Sequence, residues 1–295
     1  MNRAAVATGH VIAALELASG LDPGPAAAAS GRLPGGWHLS GSSGVGGDCP
    51  VVAVACTAGD PAVTVQGRTV RMRLSHAAAG SATLAYATYT ALERARQQRQ
   101  MLTLHANAAV TPSGRGVLLL GTKGAGKTSV TLALGERGWT HAGDDLAILA
   151  EHDPQLLLHP GKTTAAVRAQ DPQLWQAPKP VIALTPFTRV PVPLAAAVRL
   201  TVHPAIPRPV LVPATPFSAN EQLRLHEALA RYISGLPTPL TGPSRAPYGP
   251  VWPLDTPRLA RWRAHLIARL EQHPYAYLYA PDPQTAADLI TEEYA

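Results

Sequence analysis

The feature that most restricts the fold is the octet GTKGAGKT at residues 121–128, which follows the apolar run 117–120. It matches the P-loop, or Walker A, pattern G-x4-G-K-[ST] in full. A continuous apolar run is typical of a strand buried on both faces, and residues 128–137 predict a helix that ends at Gly138. Strand, glycine-rich loop and helix form the context in which this pattern holds phosphates. We therefore predict an α/β protein built around a nucleotide site.

The side chains of the octet have separate expected roles. Lys127 is expected to reach the β- and γ-phosphates, and Thr128 is expected to offer its hydroxyl to Mg²⁺, a cation that prefers oxygen ligands. Backbone N–H groups and the helix dipole should hold the remaining charge. The predicted nucleotide-binding residues are Gly121, Thr122, Lys123, Gly124, Ala125, Gly126, Lys127, Thr128 and Ser129. The predicted cofactors are ATP, the nucleoside triphosphate, and Mg²⁺.

An aspartate pair, Asp144 and Asp145, comes seventeen residues after Lys127. This is earlier in the chain than an ordinary Walker B aspartate. Two adjacent carboxylates repel each other unless a cation or a shared proton relieves the repulsion. We therefore expect Asp145 to bind the metal, directly or through water, and Asp144 to orient or deprotonate an acceptor hydroxyl. A simple turn or helix cap is the alternative interpretation of the pair.

Residues 104–149 resemble the HPr kinase/phosphorylase family, and more closely its stand-alone relatives in bacterial gene clusters. The segments LHANAAV, GVLLLGTKGAGKT, ERGW and AGDDLAIL carry the resemblance. It implies a P-loop kinase core related to phosphoenolpyruvate carboxykinase. It also implies that Asp144 is the base toward a serine hydroxyl and that Asp145 is linked to the metal. His105 matches a histidine upstream of the family's P-loop, which implies a role near the phosphates; a buried core histidine is the alternative.

The chain departs from the family at several places. Lys123-Gly124 stands where HPr kinases usually have Ser-Gly, and the Lys123 ammonium either contacts phosphate or points to solvent. Thr128 replaces the usual serine and keeps the hydroxyl. The family's later Glu-x-Arg-Gly signature is not evident, and LHPGKTTAAVRAQ occupies that region. Regulation of sugar uptake and reverse phosphorolysis are therefore not implied. Arg168 and Lys179 are further candidates for stabilising the migrating phosphoryl group.

The part of the chain before the octet predicts a small α+β region. Residues 1–20 are predicted to form a first helix, and the Gly-, Ser-, Pro- and Ala-rich stretch 21–48 is predicted to form a long loop. The segment VTVQGRTVRMRL alternates apolar and polar residues around Gln66-Gly67, which indicates a hairpin, and residues 82–100 indicate a helix. The predicted domains are an N-terminal α+β region, 1–100, and a P-loop kinase domain, 101–295.

The C-terminal part predicts two helices separated by a proline-rich stretch. Ser218 and Glu221 form a capping-box pattern before the first helix, and an apolar stripe within residues 259–270 indicates the second. Residues 236–257 contain too many prolines for a regular element. They are expected to form either a surface connection or a lid that grips substrate.

Charge and composition restrict the partners. The net charge of +6 comes mainly from scattered arginines without a dense basic block, which disfavours nucleic acid. No apolar run approaches the roughly 20 residues needed to cross a membrane, so we expect a cytoplasmic protein. Cys49 and Cys56 have no Cys or His partners at finger-like spacing, which favours free thiols. HPr kinases form oligomers, so the sequence leaves open whether this chain also forms a homo-oligomer.

The predicted function is an ATP- and Mg²⁺-dependent phosphotransferase that moves the γ-phosphoryl group to a Ser or Thr hydroxyl of a peptide or small protein. The Ala-, Arg- and Pro-rich composition hints at GC-rich coding and an actinobacterial source, in which such relatives accompany peptide natural-product genes. A small-molecule kinase for an amino acid or sugar alcohol and a non-catalytic nucleotide-binding regulator are the alternatives. A GTPase is disfavoured because no Asn-Lys-x-Asp motif is present.

Overall fold

The structure is a computed structural model that describes residues 2–8, 10–24, 38–40, 49–59, 61–167, 179–233 and 254–295. These residues form a mixed α/β protein with three sheets. Contacts group the chain into two compact units, the first Met1–Leu102 with Glu227–Arg263 and the second Thr103–His226 with Ala264–Ala295. The segment Glu227–Arg263 thus groups with the N-terminal residues, although the sequence placed it in a kinase domain at 101–295. Arg168 and most of the stretches 21–48 and 236–257 lie outside the described residues.

The first unit contains a six-stranded sheet in the order β3-β1-β2-β4-β6-β5. Its strands are β1 (Asn2–Thr8), β2 (Val11–Leu17), β3 (His38–Ser40), β4 (Val51–Cys56), β5 (Ala62–Gln66) and β6 (Thr69–Leu74). Strands β1 and β2 form an antiparallel hairpin, and β2 also pairs in parallel with β4. The predicted helix at residues 1–20 is therefore wrong. Because β2 lies between two strands and buries Val11, Leu15 and Leu17, sheet packing outweighs the helix propensity of Ala and Leu.

The predicted hairpin and helix that follow are confirmed. Strands β5 and β6 pair antiparallel from Ala62 with Arg73 to Gln66 with Thr69. After the short helix α1 (His76–Ala79), helix α2 (Ala82–Gln97) ends three residues before its predicted end at residue 100. The Ser81 hydroxyl accepts the Thr83 N–H at 3.2 Å and caps the start of α2.

The second unit is built on a nine-stranded sheet. Its path runs β10-β8-β9-β15-β12-β11-β7, and β17 pairs with both β15 and β16. The strands are β7 (Met101–Leu104), β8 (Asn107–Val110), β9 (Gly116–Leu120), β10 (Thr140–Gly143), β11 (Ala147–His152), β12 (Gln155–His159), β15 (Val192–Val202), β16 (Val210–Pro213) and β17 (Tyr275–Ala280), while β13 (Thr164–Ala166) and β14 (Val181–Ala183) form a separate pair. The helices after β9 are α3 (Lys127–Glu136), α4 (Ala219–Ala230), α5 (Pro257–Glu271) and α6 (Pro283–Tyr294), and the end of α4 and the beginning of α5 belong to the first unit.

The core beside α3 explains how the second unit is assembled. Strand β15 runs parallel to both β9 and β17. Its residues Val198 and Leu200 are buried in one cluster with Val130 and Leu134 of α3 and Ile290 of α6. Because β9 and β15 are parallel, their carboxyl ends meet at the same edge of the sheet. The loop after β9 is therefore supported by the end of β15.

A buried charged cluster connects α4 to the sheet. Glu221, 1% exposed, accepts hydrogen bonds from Arg199 Nε at 2.9 Å, from the Tyr275 hydroxyl at 2.5 Å and from the Tyr277 hydroxyl at 3.0 Å. Burial raises the pKa of the Tyr275 hydroxyl, so it stays a donor. The Ser218 hydroxyl accepts the Glu221 N–H at 3.2 Å, as the predicted cap requires. The Glu221 carboxylate, however, accepts its hydrogen bonds from side chains of strands β15 and β17.

Among the described helices, none has the length and apolar character required to cross a membrane.

Candidate functional site

A glycine-rich loop at residues 121–126 joins β9 to α3. Gly121, Gly124 and Gly126 have φ values of 151°, 89° and 91°, the range that glycine adopts most readily. A Cβ on Gly121 would lie 2.7 Å from the Cβ of Ala125, and one on Gly126 would lie 2.8 Å from the Cβ of Val202. The backbone is thus folded tightly on itself and against the end of β15. Such a turn before a helix N-terminus provides the N–H groups that bind phosphate.

Lys127 is the first residue of α3 and is only 6% exposed. Its Nζ donates to the Gly121 carbonyl oxygen at 2.8 Å and to the Thr122 carbonyl oxygen at 3.2 Å. The ammonium therefore folds back over the glycine-rich loop instead of pointing to solvent. This is the place from which it would contact the outer phosphates of a nucleotide.

The other predicted loop residues differ in exposure. Ala125 is buried and packs inside the turn, whereas Thr128 is half-buried at the helix start. The exposed members of the predicted set are Thr122, Lys123, Gly124 and Ser129. Because Lys123 is exposed, its ammonium is accessible to a bound anion as well as to water.

Asp144 follows β10 and is 1% exposed. Its Oδ1 accepts the Thr128 hydroxyl at 2.7 Å and the Asn107 side-chain amide at 2.6 Å. Burial raises the pKa of the Asp144 carboxyl, and the charge of Asp145 raises it further. The two hydrogen bonds and the charge of Lys162 act in the opposite direction. The structure thus brings a buried carboxyl with a raised pKa to the start of α3.

Asp145 is half-buried and has a φ of 57°. Aspartate and asparagine tolerate this left-handed conformation better than other residues with a side chain. The Asp145 N–H donates to the Asn107 side-chain oxygen at 3.1 Å. One asparagine side chain therefore positions both members of the aspartate pair.

Asn107 and Thr131 extend this network into α3. Asn107 Nδ2 lies 3.1 Å from the Thr131 hydroxyl oxygen, which donates to the Lys127 carbonyl oxygen at 2.8 Å. Both side chains are buried. Asn107 lies in the segment LHANAAV, but it is not among the site residues predicted from the sequence. A fully polar amide inside an apolar strand was the available signal, because buried amides need partners.

Lys162 is a second residue that the sequence did not indicate. The Asp144 N–H donates to its carbonyl oxygen at 3.3 Å, and its charge acts on the Asp144 carboxyl. The close approach of the two segments depends on Gly161, because a Cβ there would overlap the Leu146 carbonyl oxygen. Lys162 lies in the stretch LHPGKTTAAVRAQ, where no local pattern indicates a site residue.

For three other residues predicted to act at the site, the structure shows a position at most. His105 is half-buried between β7 and β8, and Lys179 is exposed just before β14. Arg168 lies outside the described residues. The roles of these three side chains stay predictions.

The oxygen groups at the start of α3 fit Mg²⁺. This ion takes one or two protein carboxylates and completes its shell with water and substrate phosphates. Thr128 and Asp144 lie in contact, and Asp145 is adjacent in the chain. Within the described ranges, no three His, Cys, Asp or Glu side chains form a metal cage. An ion shared between these oxygens and a phosphate chain is the arrangement that the donor set fits.

Comparison with protein-family models and with curated proteins found no match. Among solved structures, the chain is similar to the HPr(Ser) kinase/phosphatase from Coxiella burnetii, with 22% sequence identity, a TM-score of 0.28, and coverage of 38% of this chain and 75% of that chain. A TM-score of this size does not establish a shared fold. The function therefore has to be argued from the site itself.

Proposed function

We propose that the chain is an ATP- and Mg²⁺-dependent kinase that transfers the γ-phosphoryl group to a Ser or Thr hydroxyl of a peptide or small protein. The hydrogen bond between Thr128 and Asp144 carries this proposal. It places a buried carboxyl beside the loop that is expected to hold the phosphates. A raised pKa also brings this carboxyl closer to the working pH, which suits a general base.

The residues divide the work of positioning and charge stabilisation, which dominate phosphoryl transfer. The nucleotide and Mg²⁺, when bound, supply the phosphoryl group and neutralise charge on its oxygens. Lys127 and the loop N–H groups would bind the phosphate chain, and Asp144 would align the acceptor hydroxyl and take its proton. Asp145 and Thr128 would hold the metal. Lys162, whose charge acts on Asp144, would limit the build-up of negative charge between the two aspartates.

The same hydrogen bond supports a second assignment of the aspartates. Since Asp144 accepts the Thr128 hydroxyl directly, these two side chains together form a natural metal-binding pair. In that case Asp145 would face the acceptor. Comparing Asp144→Asn with Asp145→Asn separates the assignments, because the variant without the metal ligand needs more Mg²⁺ for half-maximal rate. The variant without the base loses turnover at an unchanged Mg²⁺ requirement.

The direct experiment follows label from ATP labelled at the γ-phosphate into peptide and metabolite pools of the native host. Lys127→Ala should lower the transfer rate by on the order of 10²–10³, as expected when one preorganised donor is removed. Arg115→Ala, which removes an exposed charge outside the loop, is the control and should keep the parental rate. A parental rate in Lys127→Ala would contradict the proposal.

The acceptor is read from the same experiment. Label in a peptide or protein supports the proposal as stated, whereas label only in an amino acid or sugar alcohol replaces the acceptor with a small molecule. Nucleotide binding without any transfer would leave a non-catalytic regulator.

A further inference from the structure

A cavity of about 430 Å³ lies in the first unit, which does not contain the glycine-rich loop. It is bordered by the end of α2, the beginning of α5, the residue before β4 and the turn between β5 and β6. This volume is within the usual range of small-molecule sites, roughly 300–1,000 Å³. No step of the proposed phosphoryl transfer uses the cavity.

The cavity lining is strongly cationic. Arg68, Arg99 and Arg258 line it, and among the described residues no Asp or Glu belongs to the lining. All three arginines are exposed, and Arg99 donates to the His10 carbonyl oxygen at 3.0 Å. The nearby carboxylate of Asp255 is already paired with Arg263 at 2.5 Å. Guanidinium groups bind carboxylate and phosphate oxygens in a bidentate geometry, so the lining suits an anion.

The beginning of α5 adds positive potential to the same cavity. The Thr256 hydroxyl accepts the Leu259 N–H at 3.3 Å, which caps the helix, and both residues line the cavity. Unbonded N–H groups in the first turn attract negative charge. The end of α2 opposes this effect only weakly, because the carbonyls of Arg96 and Gln97 accept the N–H groups of Arg99 and Gln100.

Trp262 also lines the cavity. Its Nε1 is fully buried and has no hydrogen-bond partner among the described residues. Because a fully buried atom is not reached from the cavity, Trp262 contributes the surface of its ring to the lining and not a donor.

We propose that this cavity binds a small anion with two or more phosphate or carboxylate groups. Arg68, Arg99 and Arg258 provide the charge, and the beginning of α5 adds positive potential. None of the described lining residues belongs to the glycine-rich loop or to the aspartate pair, so the anion is proposed as a ligand additional to the nucleotide. Three guanidinium groups around one cavity are matched best by an anion that carries several negative charges.

Isothermal titration calorimetry on the full-length protein tests the proposal, with sodium pyrophosphate and sodium citrate as separate probes in the absence of Mg²⁺. Arg258→Gln removes a lining guanidinium, whereas Arg261→Gln removes an exposed one from the same helix outside the lining. We expect the wild type and Arg261→Gln to bind equally. Arg258→Gln should bind about tenfold more weakly or worse, as expected for a lost charge-assisted hydrogen bond.

One further variant guards the interpretation. The titrations are repeated in Lys127→Ala, so that pyrophosphate bound at the glycine-rich loop does not contribute. Circular dichroism verifies that each variant is folded.

The outcomes of the titrations distinguish the ligand classes and test the site. Binding of pyrophosphate alone identifies a phosphate ligand, and binding of citrate alone identifies a carboxylate ligand; either result supports the site if it depends on Arg258. Equal affinities in Arg258→Gln and Arg261→Gln would overturn the proposal. So would the failure of both probes to bind the wild type at millimolar concentration.

Discussion

At the scale of single residues, Asn107 joins Asp144, Asp145 and α3 through one side chain. Replacing it by Ala leaves the buried Asp144 oxygen and the Asp145 N–H with fewer partners. We expect Asn107→Ala to lower the free energy of unfolding by about 1–3 kcal/mol and to reduce turnover. Urea denaturation measures the first effect. Asn220→Ala, at an exposed position of α4, is the control and should change stability by less than about 0.5 kcal/mol. Equal losses in the free energy of unfolding of Asn107→Ala and Asn220→Ala would contradict the role of Asn107.

The buried carboxyl of Asp144 predicts a pH effect on stability. Its pKa is raised by burial above the ordinary 3.8, so the folded chain holds this proton more tightly than the unfolded chain. The contribution of this tightly held proton to the free energy of unfolding is fully present below pH 3.8. It is lost as the pH rises through the raised pKa. Asp144→Asn should therefore become progressively more stable relative to the wild type across that window. Urea denaturation at a series of pH values measures the difference, and a constant difference would refute the prediction.

At the scale of elements, the loop before α3 allows a matched comparison of two glycines. Gly124 and Gly126 have almost the same φ, but a Cβ on Gly126 would press on Val202, whereas one on Gly124 meets no atom within 4 Å. Both Ala variants should carry the cost of the left-handed backbone, about 1–2 kcal/mol. Gly126→Ala should cost about 1–3 kcal/mol more because of the overpacking.

Thermal denaturation ranks the two glycine variants, and Val202→Ala in the Gly126→Ala background should recover part of the difference. No recovery would show that the contact with β15 is not the cause.

The charged cluster on α4 gives a second comparison within one element. Glu221→Ala leaves Arg199 partly buried without its carboxylate partner, so we expect a loss of about 3–5 kcal/mol in the free energy of unfolding. Glu227→Ala, on the exposed side of α4, should change it by less than about 0.5 kcal/mol. Urea denaturation of both variants tests the difference. Similar values would mean that the cluster does not stabilise α4.

What the sequence predicted at this scale depended on local chemistry. The loop glycines and the β5–β6 hairpin were predictable because each involves a nearby turn with a specific backbone requirement. The N-terminal hairpin was missed because its Ala- and Leu-rich residues favour a helix when taken alone, and pairing within the hairpin and with β4, which is distant in the chain, outweighs that preference. Asn107 and Lys162 were missed for the same reason. Their contacts with Asp144 cross many residues of sequence, and the polar amide of Asn107 inside an apolar strand indicates that a partner is needed without indicating which one.

At the scale of the whole molecule, the loop and the cationic cavity belong to different units of the chain, so each ligand has its own expected signature. A non-hydrolysable ATP analogue with Mg²⁺, at about one hundred times its Kd, should stabilise the native chain by about 2.7 kcal/mol. Hydrogen exchange of the α3 amides should slow accordingly. Lys127→Ala should abolish the protection, and unchanged protection would argue against a nucleotide at the loop.

The left-handed backbone of Asp145 restricts which residues natural relatives of this chain can carry at this position. Glycine, asparagine and aspartate all adopt its left-handed conformation at little cost, so exchange among the three leaves the turn intact while switching one negative charge on or off. Sister proteins with asparagine or glycine there would be expected to retain the architecture and to lack the proposed transfer reaction. A survey of genomes could use this single position to separate chains that carry the second aspartate from chains that do not.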